Sequence, residues 1–116
     1  MRPGFRDARF NLGGALEVAG EPAAALGEYR ALIAATPGFL PAQRRAARLS
    51  QELGDLAAAL GYYRQALALA PEDATLHNNE GTALAGLGDY PEAAAAFRAN
   101  MGVMQVHDRL TEAVLD

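Results

Sequence analysis

The chain has 116 residues, a formal net charge of −4 and a pI near 5.1, and all ten of its basic residues are arginine. That length suits one domain, and the acidic balance argues against nucleic acid or an anionic membrane as the partner. With no cysteine, disulfides, thiol catalysis and thiolate metal sites are excluded.

Taken in chain order, the N-terminal "MRPGFRDARF" lacks an apolar run of signal-peptide length, and nowhere does the chain approach the roughly 18 unbroken apolar residues of a membrane span. A cytoplasmic protein without membrane insertion is the expectation. The first helical pattern is "FNLGGALEVA", with leucine and small residues at helical spacing. Gly20 and Glu21 break it, since glycine accepts a left-handed helix end and an acidic residue suits the next helix start. Pro22 then opens "PAAALGEYRALIAAT", at a position where the missing N–H has no intrahelical partner. The same cycle follows in "AQRRAARLSQEL", the turn at Gly54 and Asp55, and "ALGYYRQALALA". It comes a third time in "LHNNEGTALAGL", the turn at Gly88 and Asp89, and "AAAAFRANMGVM". Each cycle is an αα-hairpin with helices of about 12 residues.

Equivalent residues recur every 34 positions: Gly20, Gly54 and Gly88; Ala25, Ala59 and Ala93; Tyr29, Tyr63 and Phe97; Gly13, Ala47 and Gly81; Pro37 and Pro71. The aromatic and proline columns owe nothing to the abundance of alanine, so the period is a property of the fold. Two helices close to the short end of the usual 8–10 Å separation only where one side lacks bulk, so Gly13 is expected to face Ala25, with the aromatic filling the wedge toward the next repeat.

These columns resemble those of the tetratricopeptide repeat family, and the resemblance covers roughly residues 6–107. It implies an all-α fold: a right-handed superhelical solenoid of three helix-turn-helix repeats at about 6–39, 40–73 and 74–107. The whole chain, 1–116, forms one such domain, with a short capping helix at about 108–116. It further implies that the first helices line a concave groove, and that the protein is a non-catalytic interaction module or scaffold. The alternative is a regulatory or substrate-docking domain of a larger enzyme, such as a transferase.

On that basis the groove carries Asn11, Arg44, Arg45, Arg48, Asn78 and Asn79. Arg44 and Arg48 are one helical turn apart with Arg45 alongside, an arrangement that either receives an acidic segment or pairs internally with Glu17, Glu52 or Asp7. Asn11, Arg45 and Asn79 occupy one equivalent position in successive repeats, and amides there both donate to and accept from an extended peptide backbone. The family's chaperone-binding carboxylate clamp is not reproduced, because its positions hold Phe10, Gly14, Arg45, Thr75 and Asn79. His77 is expected to pack in place of a bulky residue. Glu80, on a face that usually packs, either reaches water or contacts a partner. The two histidines, His77 and His107, lack a metal-ligand or nucleophile pattern, so no metal, cofactor or catalytic residue is expected. The closing "HDRLTEAVLD" is short for a cap, and with Met101, Val103, Met104 and Val106 before it three outcomes follow: partial capping by this helix, self-association through a C-terminal apolar face, or continuation into a longer chain.

Overall fold

The computed structural model describes residues 3–89, together with Ala95. The second helix of the third repeat, with Ala93 and Phe97, lies outside the described residues, as do His107, the apolar residues from Met101 onward and the capping helix at 108–116. Five helices follow one another: α1 (Pro3–Val18), α2 (Pro22–Ala35), α3 (Leu40–Glu52), α4 (Leu56–Leu69) and α5 (Ala74–Gly88). Among the described residues there is no strand. Each helix packs on those before and after it in the chain, which is the contact pattern of a solenoid rather than of a closed bundle. The starts of α3 and α5 coincide with the expected repeat boundaries at Leu40 and Ala74.

Local chemistry explains the breaks. Gly20 and Gly54 take φ of 78° and 86°, the left-handed region where a Cβ is unfavourable, and so end α1 and α3. Gly88 differs, being the last residue of α5 itself. Asp55 caps α4 by accepting the Ala58 amide at 3.1 Å, and Asp73 caps α5 by accepting the Leu76 amide at 3.0 Å. Each such cap stabilises its helix by about 1 kcal/mol. Glu21 occupies the corresponding place before α2 without a side-chain cap, and there Pro22 fixes the first turn instead.

Two apolar clusters run along the stack. The first joins Ala25, Leu26, Tyr29 and Leu32 of α2 to Ala42, Ala46 and Leu49 of α3. The second joins Ala47 to Ala59, Leu60, Tyr63 and Ala66 of α4, and to Leu76, Ala83 and Leu87 of α5. Alanine dominates because it lets helix axes approach, while Tyr29 and Tyr63 supply the volume in the first two repeats. Tyr29 and Tyr63 are essentially fully buried, each between its own hairpin and the first helix of the next. Burying a ring of that size contributes roughly 4 kcal/mol of transfer free energy.

The geometry adds to one expectation and corrects another. Gly13 lies beneath Tyr29: a Cβ there would stand 2.6 Å from Cε1 and 2.8 Å from Cζ of the ring. The small residue therefore makes room for the aromatic itself. His77 does not pack as a bulky residue; it is exposed, and its Nε2 donates to the Pro71 carbonyl at 2.7 Å. Gln43, its counterpart one repeat earlier, is buried and donates from Nε2 to the Pro37 carbonyl. The position serves as a polar clip on the proline turn, satisfying a carbonyl that no helix uses. Glu80 is half-buried and makes no ion pair with a described residue.

The two adjacent glycines of α1 separate the competing effects. Replacing glycine by alanine inside a helix ordinarily stabilises it by about 0.5–1 kcal/mol. Gly14 has nothing within 4 Å of its Cβ position, so Gly14→Ala is expected to raise the melting temperature. At Gly13 the ring has no room to retreat, so Gly13→Ala is expected to cost about 1–3 kcal/mol instead. Equal shifts in thermal melts of the two variants would show that Tyr29 does not rest on Gly13.

Candidate functional site

Arg44, Arg45 and Arg48 leave α3 on one face because they are spaced within a single turn. Opposite them stand Thr75, Leu76 and Asn79 of α5, and Tyr63 of α4 closes the floor. Together these residues line an open recess of about 290 Å³. Four of the six residues expected in the groove, Arg44, Arg45, Arg48 and Asn79, are thus brought together. Asn11 and Asn78 are exposed and do not line this recess, and the Asn78 carbonyl accepts the Thr82 hydroxyl at 3.0 Å.

The arginines are internally paired, with Glu17 and Glu52 as expected and with Asp73 in addition. Glu17 is the hub. Its Oε2 accepts the Tyr29 hydroxyl at 2.5 Å and faces Nη1 of Arg45 at 3.3 Å, while its Oε1 accepts Nη2 of Arg48. Arg48 also approaches Glu52 at 3.7 Å. Arg44 pairs with Asp73, whose other oxygen caps α5, so one carboxylate ties α3 to the start of the next repeat. Asp7 pairs with its neighbour Arg6 at 3.6 Å and takes no part. The Arg45 guanidinium additionally stands 5.8 Å from the Phe10 ring centroid, within reach of a cation–π attraction.

The bond between Tyr29 and Glu17 has a counterpart. Tyr63 donates its hydroxyl to Oε1 of Gln51 at 2.8 Å, and Gln51 is the repeat equivalent of Glu17. A buried phenol needs an acceptor, and that requirement was the available sequence signal for both pairs. Each acceptor satisfies a tyrosine hydroxyl that is itself buried with its ring.

Electrostatics follow the geometry. Burial on its own raises the Glu17 carboxyl, but hydrogen bonds from Tyr29 and Arg48 and the charges of Arg48 and Arg45 outweigh it, holding the group below its ordinary 4.5. Burial, reinforced by the Glu17 carboxylate, pushes the Tyr29 phenol up to about 12. Asp73 is lowered from its ordinary 3.8, first by the Leu76 amide and then by Arg44. Chemically, the recess offers donors. Each guanidinium carries five N–H groups, of which the internal pairs use one or two, and the Asn79 amide has no partner among the described residues. Among the described residues no group of three or more His, Asp or Glu side chains is placed to hold a metal, and no helix is long and apolar enough to cross a membrane.

Stacked helical hairpins with a polar groove on the first helices define a class, the α-solenoid interaction modules. The chain belongs to the tetratricopeptide repeat family, whose model matches residues 1–38 and 44–99. Two solved structures of MamA share the fold. One is 22% identical with a TM-score of 0.68, the match covering 80% of this chain and 51% of that one. The other is 20% identical with a TM-score of 0.68, covering 90% of this chain and 61% of that one. The chain thus spans between half and three-fifths of these neighbours' length. A search of curated protein sequences finds no match.

The shifted groups set the limits of pH stability. Glu17, lowered on folding, stabilises the protein above its unfolded value of 4.5, and that contribution is lost as pH falls through the folded value beneath it. Tyr29, raised on folding, contributes fully below its ordinary 10 and loses that contribution as pH rises through about 12. Melting temperatures are expected to be flat between roughly pH 5 and 10 and to fall on either side. Glu17→Gln should make the acid limb shallower, with Asp73 still lowered, and Tyr29→Phe should do the same for the alkaline limb, with burial still raising Tyr63. Unaltered limbs in both variants would show that this pair does not carry the linkage.

Proposed function

We propose that the protein is a non-catalytic module that holds an extended peptide segment of a partner protein in the recess between α3 and α5. The observation that carries this reading is the convergence of three guanidiniums and the Asn79 amide, which has no partner among the described residues, on one open recess. An extended backbone leaves its N–H and C=O groups unpaired, and a wall of amide and guanidinium groups complements them whatever the side chains. Acidic side chains suit the arginine wall of α3, and neutral ones the Thr75 and Asn79 wall of α5. The family and the fold support a protein partner, because helical-hairpin repeats present a continuous surface to another chain.

Strength follows from the groups available. A handful of hydrogen bonds, each with a net worth of about 1 kcal/mol, must offset the ordering of a flexible segment. Micromolar binding is the expected result. An acetylated, amidated peptide of alternating Asp and Ala, titrated calorimetrically, should bind the protein in that range. The pair of substitutions Arg45→Ala and Asn79→Ala should weaken binding at least tenfold, since both walls lose their donors. Unchanged affinity in the double variant, with its melt preserved, would place binding elsewhere.

A further inference from the structure

Glu17 and Gln51 stand at the same place in successive repeats, and each accepts the hydroxyl of its repeat's buried tyrosine. The hairpin therefore has no need of a charge at this position, because an amide does for Tyr63 what the carboxylate does for Tyr29. What the charge adds lies outside the hairpin. Glu17 reaches Arg45 and Arg48 of the following repeat, the same two side chains that line the recess. Their side chains are 42% and 51% exposed, whereas Glu17 is only 13% exposed and is anchored by Tyr29. The arginines are the partners free to move.

We propose that Glu17 sets the charge selectivity of the groove: it is a built-in carboxylate competitor, so that an acidic side chain of a bound peptide engages Arg45 in competition with Glu17. This rests on the groove reading above. Arg45 is the point of exchange because it holds Glu17 through one contact at 3.3 Å, while Arg48 is shared between Glu17 and Glu52. Across the network the three arginines face three carboxylates, Glu17, Glu52 and Asp73, so the positive wall is neutralised before any ligand arrives. An incoming acidic group meets an arginine whose charge Glu17 already offsets, beside a carboxylate that repels it. A neutral segment hydrogen-bonding to Asn79 and Thr75 meets no such competition. The groove consequently tolerates acidic peptides without being saturated by every polyanion it meets.

The test compares the alternating Asp–Ala peptide with its Asn–Ala isostere on wild type, Glu17→Gln and Gln51→Glu, by titration calorimetry at low salt. Gln51 shows that an amide keeps the tyrosine bond, so Glu17→Gln is expected to fold. That variant should bind the Asp peptide on the order of tenfold more tightly than wild type and leave the Asn peptide unchanged. Gln51→Glu, which adds a second competitor beside the recess, should weaken the Asp peptide alone. Equal or weaker binding of the Asp peptide by Glu17→Gln, or parallel changes for both peptides, would overturn the proposal. If Arg45→Ala with Asn79→Ala still weakens binding in that case, the groove stands without its competitor. If that double variant binds like wild type, the groove reading fails as well.

Discussion

In each of the first two repeats one side chain carries the architecture: a tyrosine whose ring is buried between hairpins and whose hydroxyl is held by a polar acceptor of its own repeat's first helix. Tyr29 rests on Gly13, is enclosed by Ala25, Leu32, Ala42, Ala46 and Leu49, and ends on Glu17. Tyr63 is enclosed by Ala47, Ala59, Leu76 and Ala83 and ends on Gln51. The alanine and glycine columns exist because a ring of this size leaves no space for a second bulky group at the helix crossings. Packing in the core and polarity in the groove are thus coupled through a single residue. A change at Tyr29 is felt in both places.

That coupling explains the character of the groove. Tyr29 fixes Glu17, Glu17 orients Arg45 and Arg48, and Asp73 orients Arg44 while capping α5. The guanidiniums gather around three carboxylates, of which Glu17 comes from the preceding repeat and Asp73 caps the helix that opens the next. The same pairs join neighbouring repeats across the groove. Half-exposed ion pairs contribute little to stability individually, so their larger effect here is on orientation and charge. The next step along the groove relaxes this arrangement: with Gln51 in place of Glu17, and Asn79 and Thr82 in place of Arg45 and Arg48, its face is neutral. The solenoid therefore presents a charged step followed by an amide step along one surface.

Much of this was readable from spacing. The columns of 34 residues located the turns at Gly20 and Gly54 and the buried alanines and tyrosines, because packing constraints repeat with the period. The arginine cluster followed from helical geometry, and Glu17 and Glu52 were among its candidate partners. Three features escaped. Asp73 lies 29 residues from Arg44, and only the closeness of successive repeats brings them together. The seat of the Tyr29 ring on Gly13 depends on the ring's orientation, which spacing does not give. His77 and Gln43 replace an apolar residue with a clip on the proline carbonyl, a solution that depends on the turn's shape and leaves no periodic hydrophobic signal.

The tyrosine hydroxyl is the joint between core and groove, and a double-mutant cycle in chemical denaturation tests it directly, using Tyr29→Phe, Glu17→Ala and the two combined. The expected coupling is about 1–2 kcal/mol, since either single change already removes the bond and the double variant loses little more. Strictly additive effects would contradict that joint and leave ring and groove independent of one another.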